Sequence, residues 1–156
     1  MKDIIYLKGD ATEPVGTGHK IIAHVCNDVG SWGAGFVLAL SRKWKEPEEL
    51  YRSMDELNLG DTFGVQVEAD IIVINMIAQE GYKCKDNPVA IRYGALRECF
   101  ERILNYIVSF EEEISIHMPR IGCGLAGGSW DKIEPIIKKC FSEKDIQVYI
   151  YQLPND

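Results

Sequence analysis

Apolar positions along the chain change rhythm several times. Ile4–Lys8, Lys20–Val25, Thr62–Val67, Ile71–Ala78 and Ile114–Met118 are short runs dense in β-favouring residues and read as strands. Glu68, Ala69 and Asp70 supply a bend that makes Thr62–Val67 and Ile71–Ala78 a hairpin, the second member being the more apolar. Elsewhere the spacing is helical. Leu38, Leu40 and Trp44 carry an apolar face that ends before Pro47, and a mixed region separates it from the hairpin. Pro88 opens a long helix with a buried stripe of Tyr93, Leu96, Phe100, Ile103 and Ile107, leaving Arg92, Arg97, Glu101 and Arg102 mostly outside it. A later helix is capped by Ser129 and buries Ile133, Ile136, Ile137, Cys140 and Phe141, although Pro135 must kink its axis or displace its start. Ile146–Leu153 reads as a strand exposed on one face or at an edge. This order predicts an α/β domain with a central mixed β-sheet covered by helices on both faces, a three-layer α/β/α architecture.

Two glycine-rich loops interrupt the pattern at strand ends. The first, VGSWGAGF from Val29 to Phe36, follows the strand Lys20–Val25; the second lies within MPRIGCGLAGGSW, from Met118 to Trp130. Glycines at 122, 124, 127 and 128 permit positive φ and close approach, so backbone amides can converge on an anion beside a helix N-terminus without lysines. Either loop alone is equally a tight strand-to-helix turn. Two of them at the carboxyl ends of strands form a clamp, and a ligand with two phosphates, a dinucleotide or an ADP-sugar, is the natural occupant. The chain has no GxxxxGK[ST] loop, which argues against a P-loop nucleotidase.

Composition narrows the picture. At 156 residues and 46% hydrophobic content, without repeats or low-complexity linkers, the chain fits one domain. The formal net charge of -7 argues against a basic nucleic-acid surface while leaving room for a small anion held by amides. No apolar run suits a membrane span, and charges in MKDIIYLKGD stand where a signal peptide needs its apolar core, so the expected setting is soluble and cytoplasmic. Cysteines at 26, 84, 99, 123 and 140 lack CxxC spacing and suit a reducing compartment. Cys123, between two glycines, is either a packing residue or a nucleophile activated by helix dipoles. No His, Cys or carboxylate spacing suggests a metal, and no cofactor is expected.

Gly9 and Asp10 after the first strand, then AHVCNDVGSWGAGF, NMIAQ and PRIGCGLAGGSW, resemble in order and spacing the macrodomain family. The resemblance spans nearly the whole chain, implying a single macrodomain over residues 1–156. It is strongest to the Appr-1''-p processing branch, which contains ADP-ribose-1''-phosphate phosphatases and terminal ADP-ribose glycohydrolases. It implies an ADP-ribose cleft in which Asp10 accepts the adenine exocyclic amine, with Ala11 beside it. Asn27, Gly33, Ala34, Gly35 and Phe36 would meet the distal ribose and pyrophosphate. Gly122, Cys123, Gly124, Leu125, Ala126 and Gly127 would close the opposite side, and Tyr151 would contact adenine or its ribose or pack on a neighbouring strand.

The lysine and aspartate used by glycohydrolases of that branch are not retained: the lysine position falls at Gln79 or Glu80, and the aspartate position is Ala126. Lys83 and Lys85 substitute only if their loop turns inward. The expected activity is hydrolysis of ADP-ribose-1''-phosphate to ADP-ribose and phosphate, with Asn27, Asp28 or His24 positioning or deprotonating water. His24 has a second reading as a hydrogen-bonded core histidine, and Asp28 as a turn former. The competing expectations are a non-catalytic ADP-ribose reader, and removal of ADP-ribose from carboxylates of a modified protein by a different residue set. Neither nucleic acid nor a membrane is an expected partner.

Overall fold

The computed structural model describes residues 1–153. The strands are β1 (Ile5–Lys8), β2 (His19–Asn27), β3 (Thr62–Glu68), β4 (Ile71–Gln79), β5 (Ile114–Pro119) and β6 (Val148–Gln152). The helices are α1 (Phe36–Lys43), α2 (Glu46–Ser53), α3 (Tyr93–Val108) and α4 (Trp130–Cys140). All six strands form one sheet in the order β1-β6-β5-β2-β4-β3, in which only β3 and β4 pair antiparallel.

Side-chain alternation along the central strands sorts the core into two layers. Ile21 and Ala23 of β2, with Ile74 and Met76 of β4, pack against Leu96, Phe100 and Ile103 of α3 and Ile133 and Ile137 of α4. Ile22 and Cys26 of β2, with Val73 and Ile77 of β4, face Val37 and Leu40 of α1, Trp44 and Tyr51. The three-layer architecture follows directly. Buried Asn75 ties the second layer together, donating from Nδ2 to the Pro47 carbonyl at 3.0 Å and meeting His24 Nε2 through Oδ1 at 2.5 Å.

Four expectations change. Pro47 does not merely end a helix; it lies in the first turn of α2, where its missing N–H costs nothing. Leu38 is exposed, and the buried face of α1 is Val37 and Leu40. The long helix starts at Tyr93 rather than Pro88, because the intervening amides are bonded elsewhere: Ala90 and Ile91 N–H donate to the Ala126 carbonyl and Arg92 N–H to that of Ala78. β6 is interior, flanked by β1 and β5, and its half-buried Tyr149 lies stacked on His117 at 4.8 Å. Pro135 sits inside α4 without displacing its start at Trp130, and Ser129 holds the N-cap position without a side-chain capping bond.

One feature of the sheet places the site. Registered pairing between β2 and β5 ends at Ile22 and His117; beyond it β2 continues along β4 to Asn27, while β5 continues along β6 to Pro119. The carboxyl ends of two neighbouring parallel strands therefore diverge, and open α/β sheets bind ligands at such a point. A register shift between Cys26 and Asn27, which takes the pairing from Ile77 to Gln79, marks the rim of the gap.

The two buried histidines make stability depend on pH. Burial lowers His24 and His117 from 6.5 to about 4 each, so both stay neutral in the folded state. Unfolding below pH 6.5 takes up protons that the native state refuses. Their contribution is complete above about 6.5 and is lost as pH falls towards 4. Each histidine is expected to add up to about 1.4 kcal/mol per pH unit to the decline in that window. Urea titrations at a series of pH values check this, and a flat midpoint between pH 6.5 and 4.5 would contradict it.

Candidate functional site

Three pockets run into one another along the divergence of β2 and β5. The first, of about 710 Å³, is lined by Gly9, Asp10 and Ala11 after β1, by Phe36, Ala39 and Arg42 of α1, and by Arg120, Cys123 and Tyr151. It shares Gly35, Phe36, Pro119, Arg120 and Cys123 with a middle pocket of about 230 Å³ floored by His24 and Val25. The middle pocket shares Val25, Ala34, Val37, Gln79 and Leu125 with a third pocket, also about 230 Å³, where Asn27, Ser31, Gly33, Tyr82 and Lys83 join the wall. The result is a single long cleft with a roomy end and a narrow end.

The first glycine loop is shaped by Asn27. Its Oδ1 accepts from Val29 N–H and Ser31 N–H, both at 3.1 Å, and from the Tyr51 hydroxyl at 2.8 Å, while Nδ2 donates to the Ser31 carbonyl at 2.9 Å. Tyr51, buried on α2, thus anchors the loop from below. The loop ends at Gly35, whose φ of 81° suits glycine and which occupies the N-cap position of α1. No side chain caps this helix and its first turn has no acidic residue. Its leading amides and its positive end are left for a ligand where the roomy and middle pockets meet.

The second glycine loop approaches the first closely. A β-carbon at Gly35 would lie 3.0 Å from Leu125 Cδ1, and Leu125, 62% exposed, overhangs the cleft. Gly122 has φ 74° and Gly124 62°, and residues Gly124–Ala126 form a single 3-10 turn. Gly128 does not take positive φ; it is bare because a β-carbon there would lie 2.3 Å from the Gly122 carbonyl oxygen.

At the roomy end Asp10 Oδ1 accepts from both N–H and Oγ1 of Thr12, each at 2.8 Å, which fixes the carboxylate at the lip. Oδ2 has no partner among the described residues and is the oxygen available to an amine donor. Tyr151 is buried rather than exposed. Its hydroxyl is hydrogen-bonded with His117 Nδ1 at 2.7 Å and accepts from Val15 N–H at 2.9 Å, tying the loop after β1 to β6. Ser115 Oγ at 2.8 Å satisfies His117 Nε2, so the relay is complete inside the fold.

The structure separates the residues expected from sequence. Asp10, Ala11, Gly35, Phe36, Cys123, Gly124 and Tyr151 line the roomy pocket, Gly122, Leu125 and Ala126 the middle, and Asn27, Gly33 and Ala34 the narrow one. Gly127 lines none of the three and instead packs beneath Lys83 and the Pro88 carbonyl. Of the residues expected to act on water, Asp28 lies outside the three linings, and its Oδ1 accepts from Gly81 N–H at 2.8 Å. Buried His24 touches the floor, but its Nε2 proton goes to Asn75 and its pKa of about 4 keeps it neutral, so it belongs to the core. Burial pushes the Cys123 thiol up, opposing the activation suggested by its place between glycines.

Sequence reasoning missed Tyr51, Ala39, Arg42 and Arg120. Phe36, Ala39 and Arg42 recur three apart and form the ligand-facing side of α1, a signal readable once the helix start is fixed. Arg120 stands inside the second loop motif with its guanidinium over the Trp130 ring at 5.2 Å. Among the described residues no group of three or more His, Cys, Asp or Glu could hold a metal ion, and no helix is long and apolar enough to cross a membrane.

An α/β domain with two glycine loops facing across a strand divergence, and an uncapped helix start between them, is of the class that holds an extended anionic ligand. The chain belongs to the macrodomain family: a macrodomain protein from Streptomyces coelicolor is 42% identical, with a TM-score of 0.82 over 96% of this chain and 99% of that one. A structure from Bacteroides thetaiotaomicron, described as a protein of unknown function, is 50% identical with a TM-score of 0.92, covering 97% of this chain and 99% of its own. The ADP-ribose 1''-phosphate phosphatase of Candida albicans is 24% identical over 155 residues, 94% of this chain and 99% of that protein. The chromodomain-helicase-DNA-binding protein 1-like of Mus musculus is 30% identical over 97% of this chain, which spans only 18% of that much longer protein. No family model matches the chain.

Proposed function

We propose that the protein binds ADP-ribose along the cleft and removes the terminal phosphate from ADP-ribose-1''-phosphate. The observation that carries this reading is the succession of subsites: a carboxylate-marked roomy pocket, an uncapped helix start, and a small pocket beyond it that holds Asn27 and Gln79. Adenine fits the first, with its exocyclic amine on Asp10 Oδ2. The pyrophosphate fits the amides at Gly35–Val37, and the distal ribose enters the narrow end beside Asn27 and Gln79. Similarity along almost the full length of a protein named ADP-ribose 1''-phosphate phosphatase supports the choice of reaction.

Hydrolysis requires water to attack phosphorus while the bond from phosphorus to the ribose oxygen breaks. The residues lining the narrow pocket include no carboxylate and no histidine. In this reading the protein contributes mainly by holding the ester in line with water and by placing donors around the developing phosphoryl charge. The same absence of a base favours the rival reading, a domain that only reads ADP-ribose, including ADP-ribose carried on a modified protein.

Titration calorimetry with ADP-ribose, ADP and AMP tests the shared premise. Micromolar affinity for ADP-ribose, about -8 kcal/mol, that weakens strongly for AMP is expected. Phosphate release from saturating ADP-ribose-1''-phosphate then separates the two readings: release above the buffer rate supports the phosphatase, and binding without release leaves the reader.

A further inference from the structure

The loop between β4 and α3 places Lys83 in the wall of the narrow pocket, where it is the only charged side chain among the lining residues. Lys83 remains exposed, as loop lysines usually are, but its stem is held in place. The stem lies on Gly127: a β-carbon there would be 3.2 Å from Lys83 Cδ and 3.4 Å from Cε. With φ at 75° and the Pro88 carbonyl oxygen 2.3 Å from the same point, Gly127 leaves a groove that the lysine methylenes fill.

The loop itself is pinned. Cys84 and Asn87 exchange backbone hydrogen bonds at 3.0 Å each, and Asn87 Nδ2 donates to the carbonyls of Glu80 and Tyr82 at 2.7 and 3.0 Å. Arg92 donates to Asn87 Oδ1 at 2.8 Å, and Gly81 N–H is held by Asp28. Lys83 therefore projects from a fixed base. The nearby carboxylate of Glu80 is paired with Arg92 at 2.9 Å, and Lys83 makes no ion pair or hydrogen bond among the described residues. A protein of formal charge -7 thus carries, in the wall of the narrow end of its cleft, an exposed lysine with no ion-pair partner among the described residues.

We infer that Lys83 makes the protein selective for ADP-ribose derivatives carrying an anionic substituent, a phosphate monoester above all, on the distal ribose. The inference rests on the proposed placement of ADP-ribose in the cleft. A hydroxyl at that ribose gains little from an ammonium, and a carboxylate ester is uncharged at the linkage. A phosphate monoester brings two negative charges and can make a charge-assisted contact with the ammonium that neither of the others can make.

The test compares two ligands that differ only in that phosphate, ADP-ribose and ADP-ribose-1''-phosphate, on the wild-type protein and on Lys83→Met. Methionine keeps much of the stem on Gly127 and removes the charge, and circular dichroism verifies the fold. Wild type is expected to prefer the phosphorylated ligand by about 10- to 100-fold, read as Kd by rapid titration in the cold or as KM where phosphate is released. Lys83→Met is expected to lose that preference while changing its affinity for ADP-ribose less than about threefold. Lys83→Arg should restore part of the preference. An equal loss for both ligands would assign Lys83 a merely structural role, and an unchanged preference would assign the selectivity elsewhere; either overturns the inference. Failure of wild type to bind either ligand would instead remove the proposed occupancy of the cleft.

Discussion

Substituting Gly128 by alanine is expected to lower ADP-ribose affinity more than about 100-fold and to cost on the order of 2 to 4 kcal/mol of stability. The added carbon would stand 2.3 Å from the Gly122 carbonyl oxygen and 2.6 Å from Ile91 Cγ2. Neither neighbour yields easily. The first is backbone that also accepts the Gly128 N–H at 2.6 Å, and the second belongs to the buried core. Relief requires the second loop to swing out, which separates Leu125 from Gly35 and opens the clamp. Gly33→Ala is the matched control for stability alone, because nothing lies within 4 Å of its β-carbon and its φ is not in the left-handed region. Urea midpoints on the pair and titrations on Gly128→Ala check the expectation; equal midpoints would show that the loop tolerates the carbon.

Asn27→Ala should be nearly as damaging, by another route. It removes one oxygen that collects three donors and one amide that donates to Ser31, so Val29 N–H, Ser31 N–H and the buried Tyr51 hydroxyl all lose a partner. Tyr51 retains the Asn27 carbonyl at 2.7 Å, which limits the loss in overall stability to about 1 to 3 kcal/mol. Affinity for ADP-ribose is expected to fall about 100-fold, because the loop that precedes α1 no longer has a fixed course. Steady-state kinetics distinguish this scaffold role from chemistry. A raised KM with a largely preserved kcat fits a loop organiser, whereas an unchanged KM with a collapsed kcat would make Asn27 the group that handles water.

Much of this site could be read from the chain because its determinants are local. Glycine punctuation after an apolar strand specifies a strand-to-helix loop wherever it occurs, and both loops lie where the sequence places them. The three-layer fold was legible for a similar reason: the strands and the stripes on α3 and α4 repeat at periods that one face of a sheet or helix imposes. What resisted reading depends on distant partners. α2 is short, and its Pro47 signals a stop as readily as a start. The interior position of β6 is decided by pairing with β1 and β5 rather than by its own half-polar pattern. The direction of Lys83 is set by Gly127, more than forty residues away, and the demotion of His24 and Asp28 by Asn75 and Gly81. Gly128 was legible as a glycine required there but not for the reason, which is contact and not φ.

The pairing of β1 with β6 has a consequence for the order in which the molecule is completed. β1 lies at the margin of the sheet and has β6 as its one neighbouring strand, with Ile5 beside Tyr149 and Lys8 beside Gln152. The stretch carrying Asp10 thus waits for a partner more than 140 residues later, a closure with a high entropic cost that local structure cannot repay early. Helices, hairpin and both glycine loops can form before it. The roomy end of the cleft is then among the last parts to be built and among the first to fray, and a ligand bound there would act as a clasp on that seam. Hydrogen exchange along β1 should slow when the ligand is present, more than in the central strands.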